Sequence, residues 1–345
     1  MRVGIAGIGF MGWIHYLAYQ ACQDAELVGF CSRDPSKREG DWTRIKGNFG
    51  PPGGTIDTSG LHVHETLDDL IADDAIDWID LCLPPHLHAA AIDQCLASGK
   101  RVLCEKPLAL DAKTGDRLCV SQASGDGKPR LLVAHILPFM NEYQFLYQAC
   151  LDRRFGSIRS ARLKRFISPP DWIPDFYDPV RVGGPLIDLH VHDAHLVRLL
   201  FGMPERIHTA VQWTEAIGGG QIPKRYETLM EFGDGRHVSS GGGVIDAPGR
   251  AFTHGYEVHF ENATLQFEFA AYTDGQTASI PLIVVTKDGK IERPELGDPD
   301  PVQAFVRQMQ AAAESAATGK LHPALDPNIA TDAIRICEQI ARSKI

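Results

Sequence analysis

The chain has 345 residues, 44% hydrophobic and 23% charged, so it can bury a full core, and it is long enough that two domains are expected. A formal charge of -10 with no basic stripe to offset it locally argues against nucleic acid and anionic lipid as partners. Met1-Arg2-Val3-Gly4-Ile5 runs straight into a buried-strand pattern, and no later apolar run reaches membrane-spanning length, so no membrane contact and a cytoplasmic location are expected.

Short apolar runs at Val3–Ala6, Leu27–Cys31, Trp78–Leu83, Val102–Cys104 and Leu131–Ala134 alternate with helical periodicity at Trp13–Cys22, Leu67–Ala72, His86–Ser98 and Ala112–Ala123. This alternation predicts a doubly wound parallel sheet with helices on both faces, a Rossmann-type α/β domain over residues 1–137. Gly7, Gly9 and Gly12 follow the first strand and open the first helix. In that context the glycines serve a tight turn, close approach of a dinucleotide pyrophosphate and helix-on-sheet packing, while the helix N-terminus offers N–H groups to the phosphates.

NAD-selective sites place an acid about twenty residues beyond the last glycine; here stand Ser32 and Arg33. A hydroxyl and a guanidinium suit a 2′-phosphate, so NADP is the expected cofactor, and Asp34 keeps NAD as the alternative if the strand runs longer. The stretch Lys37–Gly60, rich in glycine and proline, interrupts the rhythm as a long inserted loop. Cys22, Cys31, Cys82, Cys95, Cys104, Cys119, Cys150 and Cys337 form no Cys-x-x-Cys pair and read as reduced small hydrophobes.

Beyond Phe139 the order changes. A helix, a strand at Ile158–Ile167, a Pro- and aromatic-rich loop at Pro169–Asp178 and a helix from about Gly184 to Phe201 come first. Strand-like runs follow near Ile207–Thr214, Arg225–Phe232, His237–Ile245, Tyr256–Phe260, Thr264–Phe269 and Leu282–Thr286. Consecutive strands without intervening helices predict an antiparallel sheet, an α+β domain over residues 138–345. Helices at Val302–Thr318 and Pro327–Ser343 close the chain, the last (327–343) expected to return to the first domain.

Two segments carry the chemistry. Glu105-Lys106-Pro107 ends an apolar strand, where proline biases Lys106 to extended geometry and the carboxyl end of a parallel strand faces the ligand crevice. Glu105 either offsets the charge of a bound nicotinamide at Lys106 or orients the neighbouring backbone. In Gly183–His195, Asp188 and His192 lie four apart on a helix and so share a face. The carboxylate fixes the imidazole tautomer or binds a substrate hydroxyl while His192 passes a proton. His195 falls on that face too, the three spanning an arc of roughly 60°. As metal ligands they would make a hydrolytic centre, but this leaves the glycine turn and Lys106 without purpose, so no metal is assigned. His190 points the other way, as a satisfied packing histidine. Trp172, Phe176 and Tyr177, just before the glycine pair, either stack on a sugar face or anchor the loop.

The series Gly7-x-Gly9-x-x-Gly12, Leu83-Pro84-Pro85-x-x-His88, Gly99-Lys100-Arg101-Val102-Leu103-Cys104-Glu105-Lys106-Pro107-Leu108-Ala109 and Gly183-Gly184-x-Leu186-x-Asp188-x-x-x-His192 runs in that order over nearly the whole chain. It resembles the glucose-fructose oxidoreductase, inositol dehydrogenase and MocA-like oxidoreductases. The resemblance implies a Rossmann domain followed by an open-faced antiparallel sheet domain, and a homodimer or homotetramer formed through that face. It implies Lys106, Asp188 and His192 as catalytic residues; these three and, on its aromatic character, Trp172 are the expected substrate contacts. The expected cofactor set is Gly7, Gly9, Phe10, Met11, Gly12, Ser32, Arg33, Pro84, His88, Glu105 and Lys106; the resemblance puts His88 near the nicotinamide, while its place at a helix N-terminus also fits a structural role.

The implied reaction moves hydride between a CH–OH group of a sugar, cyclitol or sugar derivative and NAD(P). Lys106 and His192 relay the alcohol proton, and Asp188 orients His192 and the substrate. The chain departs from the family pattern at His195, where Asp is common, and at Asn141-Glu142-Tyr143, which replaces an Arg-rich segment; no substrate identity carries over. The same fold also supports redox-neutral glycoside cleavage or epimerisation with tightly held cofactor, and non-enzymatic nucleotide-binding regulation. Retention of Lys106, Asp188 and His192 speaks against the regulator.

Overall fold

The structure is a computed structural model and describes residues 1–47, 49–121, 127–169 and 173–342. The chain divides into two units. The first comprises Met1–Ala109, Lys113–Met140 and Asp298–Thr331, the second Leu110–Ala112, Asn141–Gly297 and Asp332–Ile345.

The alternating part of the chain runs β1 (Arg2–Ala6), α1 (Phe10–Ala21), β2 (Glu26–Cys31), α2 (Pro35–Arg38), β3 (His62–His64), α3 (Leu67–Ala72) and β4 (Trp78–Leu81). It continues through α4 (Pro85–Ala97), β5 (Arg101–Glu105), α5 (Ala112–Ser121) and β6 (Leu131–Ala134). The strands form one parallel sheet in the order β3-β2-β1-β4-β5-β6. The order reverses between β1 and β4, and open α/β sheets bind ligands beyond the carboxyl ends of their strands at such a point. Val3, Ile5, Ile79, Val102, Leu131 and Leu132 are completely buried, which is why these strands read as continuous apolar runs.

β3 left no such mark in the sequence. It is three residues long with a histidine at each end, and it sits at the sheet edge, where no two-sided apolar pattern is needed. The inserted stretch before it is anchored. Trp42 is completely buried, donates its indole N–H to the Lys37 carbonyl (2.8 Å) and packs edge-on against Trp13, Tyr16 and Phe30. Trp13 of α1 in turn donates to the Pro51 carbonyl (2.9 Å). Deleting a buried Trp side chain typically costs roughly 3–5 kcal/mol, so these two indoles are enough to fix the loop's path.

The second unit contains α6 (Asn141–Leu151), β7 (Ile158–Ile167), a π-helical turn at Leu186–His190 that runs directly into α7 (Val191–Phe201), and then β8 (Arg206–Glu215) and β9 (Gln221–Glu231). β10 (His237–Val244), β11 (Phe252–Phe260), β12 (Ala263–Ala271), β13 (Thr277–Thr286) and β14 (Ile291–Glu292) complete an eight-stranded sheet in the order β14-β13-β12-β11-β7-β10-β9-β8. It is mostly antiparallel; β7 and β10 run parallel at its centre. Along β7 the period of two buries Ala161, Leu163, Arg165 and Ile167 and exposes Arg162. An arginine thus stands on the core side of a strand, and it demands a partner there.

α8 (Val302–Thr318) packs on α1 within the first unit, and α9 (Pro327–Arg342) ends the described chain. Among the described residues no helix is long and apolar enough to cross a membrane. All eight cysteines are free thiols, five of them buried. Burial pushes Cys31 up to about 11 and Cys95 and Cys150 up to about 12.

Candidate active site

The glycine turn links β1 to α1 at the switch point. Gly7 has φ +98°, a left-handed conformation that favours glycine, and a Cβ on Gly12 would stand 2.2 Å from the Gly7 carbonyl. Gly9 is exposed with nothing within 4 Å of where its Cβ would lie, and it caps α1 without a side-chain hydrogen bond. Phe10 and Met11, both half-buried, form the first turn. The helix therefore presents its first N–H groups across an open glycine surface, which suits a pyrophosphate.

At the end of β2, Ser32 is buried and Arg33 exposed. The strand stops at Cys31, and the Asp34 carboxylate accepts the Ser36 N–H (3.0 Å) as the N-cap of α2. Two cations that sequence reasoning missed stand close by. Lys37 donates from Nζ to the Ile8 carbonyl (2.6 Å) inside the glycine turn, and Arg38 donates to the Ser32 carbonyl (2.8 Å). A basic residue on the short helix after β2 was the available signal. Pro84 is exposed and caps α4.

Lys106 is half-buried immediately after β5, and its peptide bond to Pro107 is cis. Its backbone N–H donates to Glu105 Oε2 (2.9 Å). His88, completely buried on α4, meets the Pro107 carbonyl through Nδ1 (2.7 Å) and the Leu83 carbonyl through Nε2 (2.8 Å). Burial lowers the His88 pKa against the opposing pull of those carbonyls. The turn carrying Lys106 is thus held on one side by Glu105 and on the other by His88.

Beneath it lies a cluster that sequence reasoning also missed. His15 of α1 is completely buried, with Nδ1 2.8 Å from Asp80 Oδ2 and Nε2 3.0 Å from Glu105 Oε1. Asp80 also accepts the Tyr19 hydroxyl (2.9 Å), and Cys82 Sγ lies 3.3 Å from His15 Nδ1. Burial disfavours the imidazolium, but the adjacent Asp80 carboxylate holds the His15 pKa well above its ordinary value. Burial first, then the Asp80 charge, push Cys82 up to about 12.

In the second unit, Gly183 and Gly184 turn the chain with φ of +83° and +73°, and a Cβ on Gly184 would meet Ile222 at 2.2 Å. Asp188 lies in the π-helical turn and is half-buried, as is His192 at the start of α7; His195 is completely buried. Asp188 thus lies in the π-helical turn and His192 in the first turn of α7 that continues it. Among the described residues the converging donor triplets are His15–Asp80–Cys82 and His62–His64–Asp73, and the trio Asp188, His192 and His195 is not one of them. In the latter group His62 and His64 share Asp73 Oδ2, at 2.6 and 3.0 Å. Trp172 lies outside the described residues. Phe176 and Tyr177 pack into an apolar cluster with Ile167, Val182, Leu189 and Val244.

The partner of Arg165 is Asp193, next in sequence to His192. Arg165 Nε and one terminal nitrogen donate to the two carboxylate oxygens, each at 2.9 Å, with both side chains almost fully buried. Burial opposes the guanidinium charge, but Asp193 raises the Arg165 pKa further still. Around this pair, Tyr143 meets His254 Nδ1 (2.9 Å) and stacks on its ring. Neither nitrogen of His190 has a hydrogen-bond partner among the described residues. The ring packs edge-on to Tyr226 at 4.7 Å, so it is a packing histidine but not a satisfied one.

Burial pushes His190 down to about 4, the Asp193 charge only partly opposing, and burial with the Arg165 charge puts His254 well below its ordinary value. The unfolded chain takes up these protons near the ordinary histidine pKa, whereas the folded chain takes them up only at lower pH. Acid therefore favours unfolding: the stability is complete above the ordinary pKa and is lost as pH falls toward the folded values. For His190 alone the expected loss is up to roughly 3 kcal/mol between about pH 7 and pH 4. Urea unfolding across that range checks it. His190→Phe is expected to flatten the slope, and an unchanged slope would remove His190 as its source.

A family model described as oxidoreductase family, NAD-binding Rossmann fold, matches residues 1–128, and the GFO/IDH/MocA C-terminal domain model matches residues 143–266. Inositol 2-dehydrogenase of Rhizobium meliloti (strain 1021) is 26% identical over 335 residues, 92% of each chain. D-xylose 1-dehydrogenase (NADP(+)) 2 of Haloferax volcanii is 25% identical over 347 residues, covering 99% of this chain and 95% of its own. Among solved structures, aldose-aldose oxidoreductase from Caulobacter crescentus, complexed with glycerol, has the same fold. Its TM-score is 0.77 at 18% identity, covering 99% of this chain and 97% of the other.

Proposed function

We propose a sugar, cyclitol or sugar derivative as the substrate of this chain, which belongs to the GFO/IDH/MocA family and is an NAD(P)-dependent oxidoreductase of CH–OH groups. The bound nicotinamide supplies the hydride acceptor. The chain's part is to remove the hydroxyl proton as hydride leaves the same carbon, so that alcohol becomes carbonyl. Lys106 and His192 pass that proton and Asp188 orients the substrate hydroxyl. The observation that carries this reading is the clamp on Lys106. A lysine at the carboxyl end of a parallel strand has its own N–H tied to Glu105 and the following carbonyl tied to His88, more constraint than a solvated surface lysine requires. The relatives named for inositol and xylose support a polyol. Initial rates with myo-inositol, D-xylose and related aldoses, with NADP+ and with NAD+, test it. Turnover of none of them, with cofactor bound, would overturn the substrate class.

NADP is the proposed cofactor of choice. Gly7, Gly9 and Gly12 and the first turn of α1 would hold the pyrophosphate, and Arg33 the 2′-phosphate, with Lys37 adding positive charge nearby. Support comes from Asp34, whose carboxylate is engaged in capping α2, and from Lys37, which reaches into the glycine turn. A charge-assisted contact is worth about 1.5–3 kcal/mol. Arg33→Ala is thus expected to weaken NADPH binding by about 10- to 100-fold and leave NADH binding unchanged, read by nicotinamide fluorescence titration. Equal losses for both nucleotides would end the proposal.

A further inference from the structure

His15 stands three residues after Gly12, on the helix that opens at the glycine turn, yet its side chain faces the interior. The groups around it are Asp80 and Cys82 at the end of β4, Glu105 at the end of β5, Tyr19 on α1 and the Phe305 ring of α8. A neutral imidazole has one N–H and one lone pair, so it can satisfy a carboxylate on one nitrogen only; two carboxylates, one on each nitrogen, are both satisfied when the ring carries both protons. The three groups then sum to a single buried negative charge instead of two. Glu105 is shared: one oxygen meets His15 and the other takes the Lys106 N–H. A continuous hydrogen-bonded path therefore leads from α1 to the backbone of Lys106.

We infer that His15 is a positioning residue for Lys106, acting through the Glu105 carboxylate: it fixes the rotamer of Glu105 and halves the negative charge under the lysine. The inference rests on Lys106 being the proton-transferring lysine proposed above. Without His15, Glu105 loses the donor that fixes one oxygen, and two like charges are left facing each other in a buried space. One-ångström displacements at a reacting group are costly to turnover, while the glycine turn and the phosphate contacts are untouched.

The test is a double-mutant cycle of His15→Gln and Lys106→Met, measured as kcat, KM and the pH profile of kcat/KM on the polyol that turns over best in the screen above. NADPH titration and thermal melting serve as fold controls. His15→Gln is expected to lower kcat by about 10- to 100-fold with cofactor affinity retained. It is also expected to move the acidic limb of the profile upward by about half a unit, because removing a positive charge favours the ammonium form of Lys106. In the Lys106→Met background the same substitution is expected to add no further loss.

Losses that multiply, or a folded His15→Gln enzyme with normal turnover and an unmoved profile, would overturn the positioning role and leave Lys106 in place. Normal turnover of Lys106→Met would instead overturn the assignment of Lys106 and this inference with it. If His15→Gln yields no folded protein, Glu105→Gln enters the same cycle, judged by the same absence of further loss in the Lys106→Met background but with the acidic limb expected to move downward, because a negative charge beside Lys106 is removed.

Discussion

Replacing Lys106 by Met is expected to lower kcat by about 10²- to 10⁴-fold, the range typical of a positioned proton-transfer group. Methionine keeps the stem's length but removes the charge and every donor, so the substitution deletes the group that proton transfer requires. The turn itself is held by bonds that do not involve the lysine side chain. The Lys106 N–H is bound by Glu105, and the buried His88 ring lies between the Pro107 and Leu83 carbonyls, its N–H donated to one of them. Melting temperature and NADPH affinity are therefore expected to stay near those of the parent. Lys106→Arg sharpens the result: a guanidinium keeps the positive charge but does not release a proton near neutral pH. It should remain as slow as Lys106→Met if Lys106 moves a proton, and recover activity if Lys106 acts by charge alone. Normal kcat in Lys106→Met removes the residue from the mechanism.

The parts of this molecule that were readable from its sequence are those whose physics is local. The strand, glycine turn and helix at residues 2–21 announce themselves because burial on both faces makes β1 a continuous apolar run, and because Gly12 admits the Gly7 carbonyl. Glu105-Lys106-Pro107 and the Gly183–His195 segment stood out by composition. β3 did not, because a three-residue edge strand with two histidines follows no apolar period. The pairs that brace the candidate site were equally hidden. His15 is 65 residues from Asp80 and 90 from Glu105, and Arg165 is 28 from Asp193. Those of His15 exist only once the strand order has placed β4 beside β1 and β5 beside β4, and that of Arg165 only once α7 has packed on β7. The π-helical turn at Leu186–His190 was hidden for a related reason, since such a turn follows no periodicity visible in the residues.

Arg165→Met is expected to produce the largest loss of stability, about 3–5 kcal/mol, because it leaves the Asp193 carboxylate buried with no compensating charge. The pair makes two parallel bonds, with the guanidinium also 5.9 Å from the Phe252 ring centre. Methionine fills most of the stem's volume, so the loss arises chiefly from the stranded charge and not from a cavity. That origin has a checkable consequence. Converting Asp193 to Leu in the same chain removes the stranded carboxylate, and the double variant is expected to regain most of the lost stability in urea unfolding, since apolar replacements of buried ion pairs are often neutral. Activity is expected to behave differently. Asp193 sits beside His192 and within the first turn of α7, so the bidentate grip of Arg165 also fixes the backbone from which His192 projects. The double variant should therefore be stable and still slow. A double variant as unstable as Arg165→Met would place the loss in packing, and one that is both stable and fast would separate the ion pair from the catalytic turn.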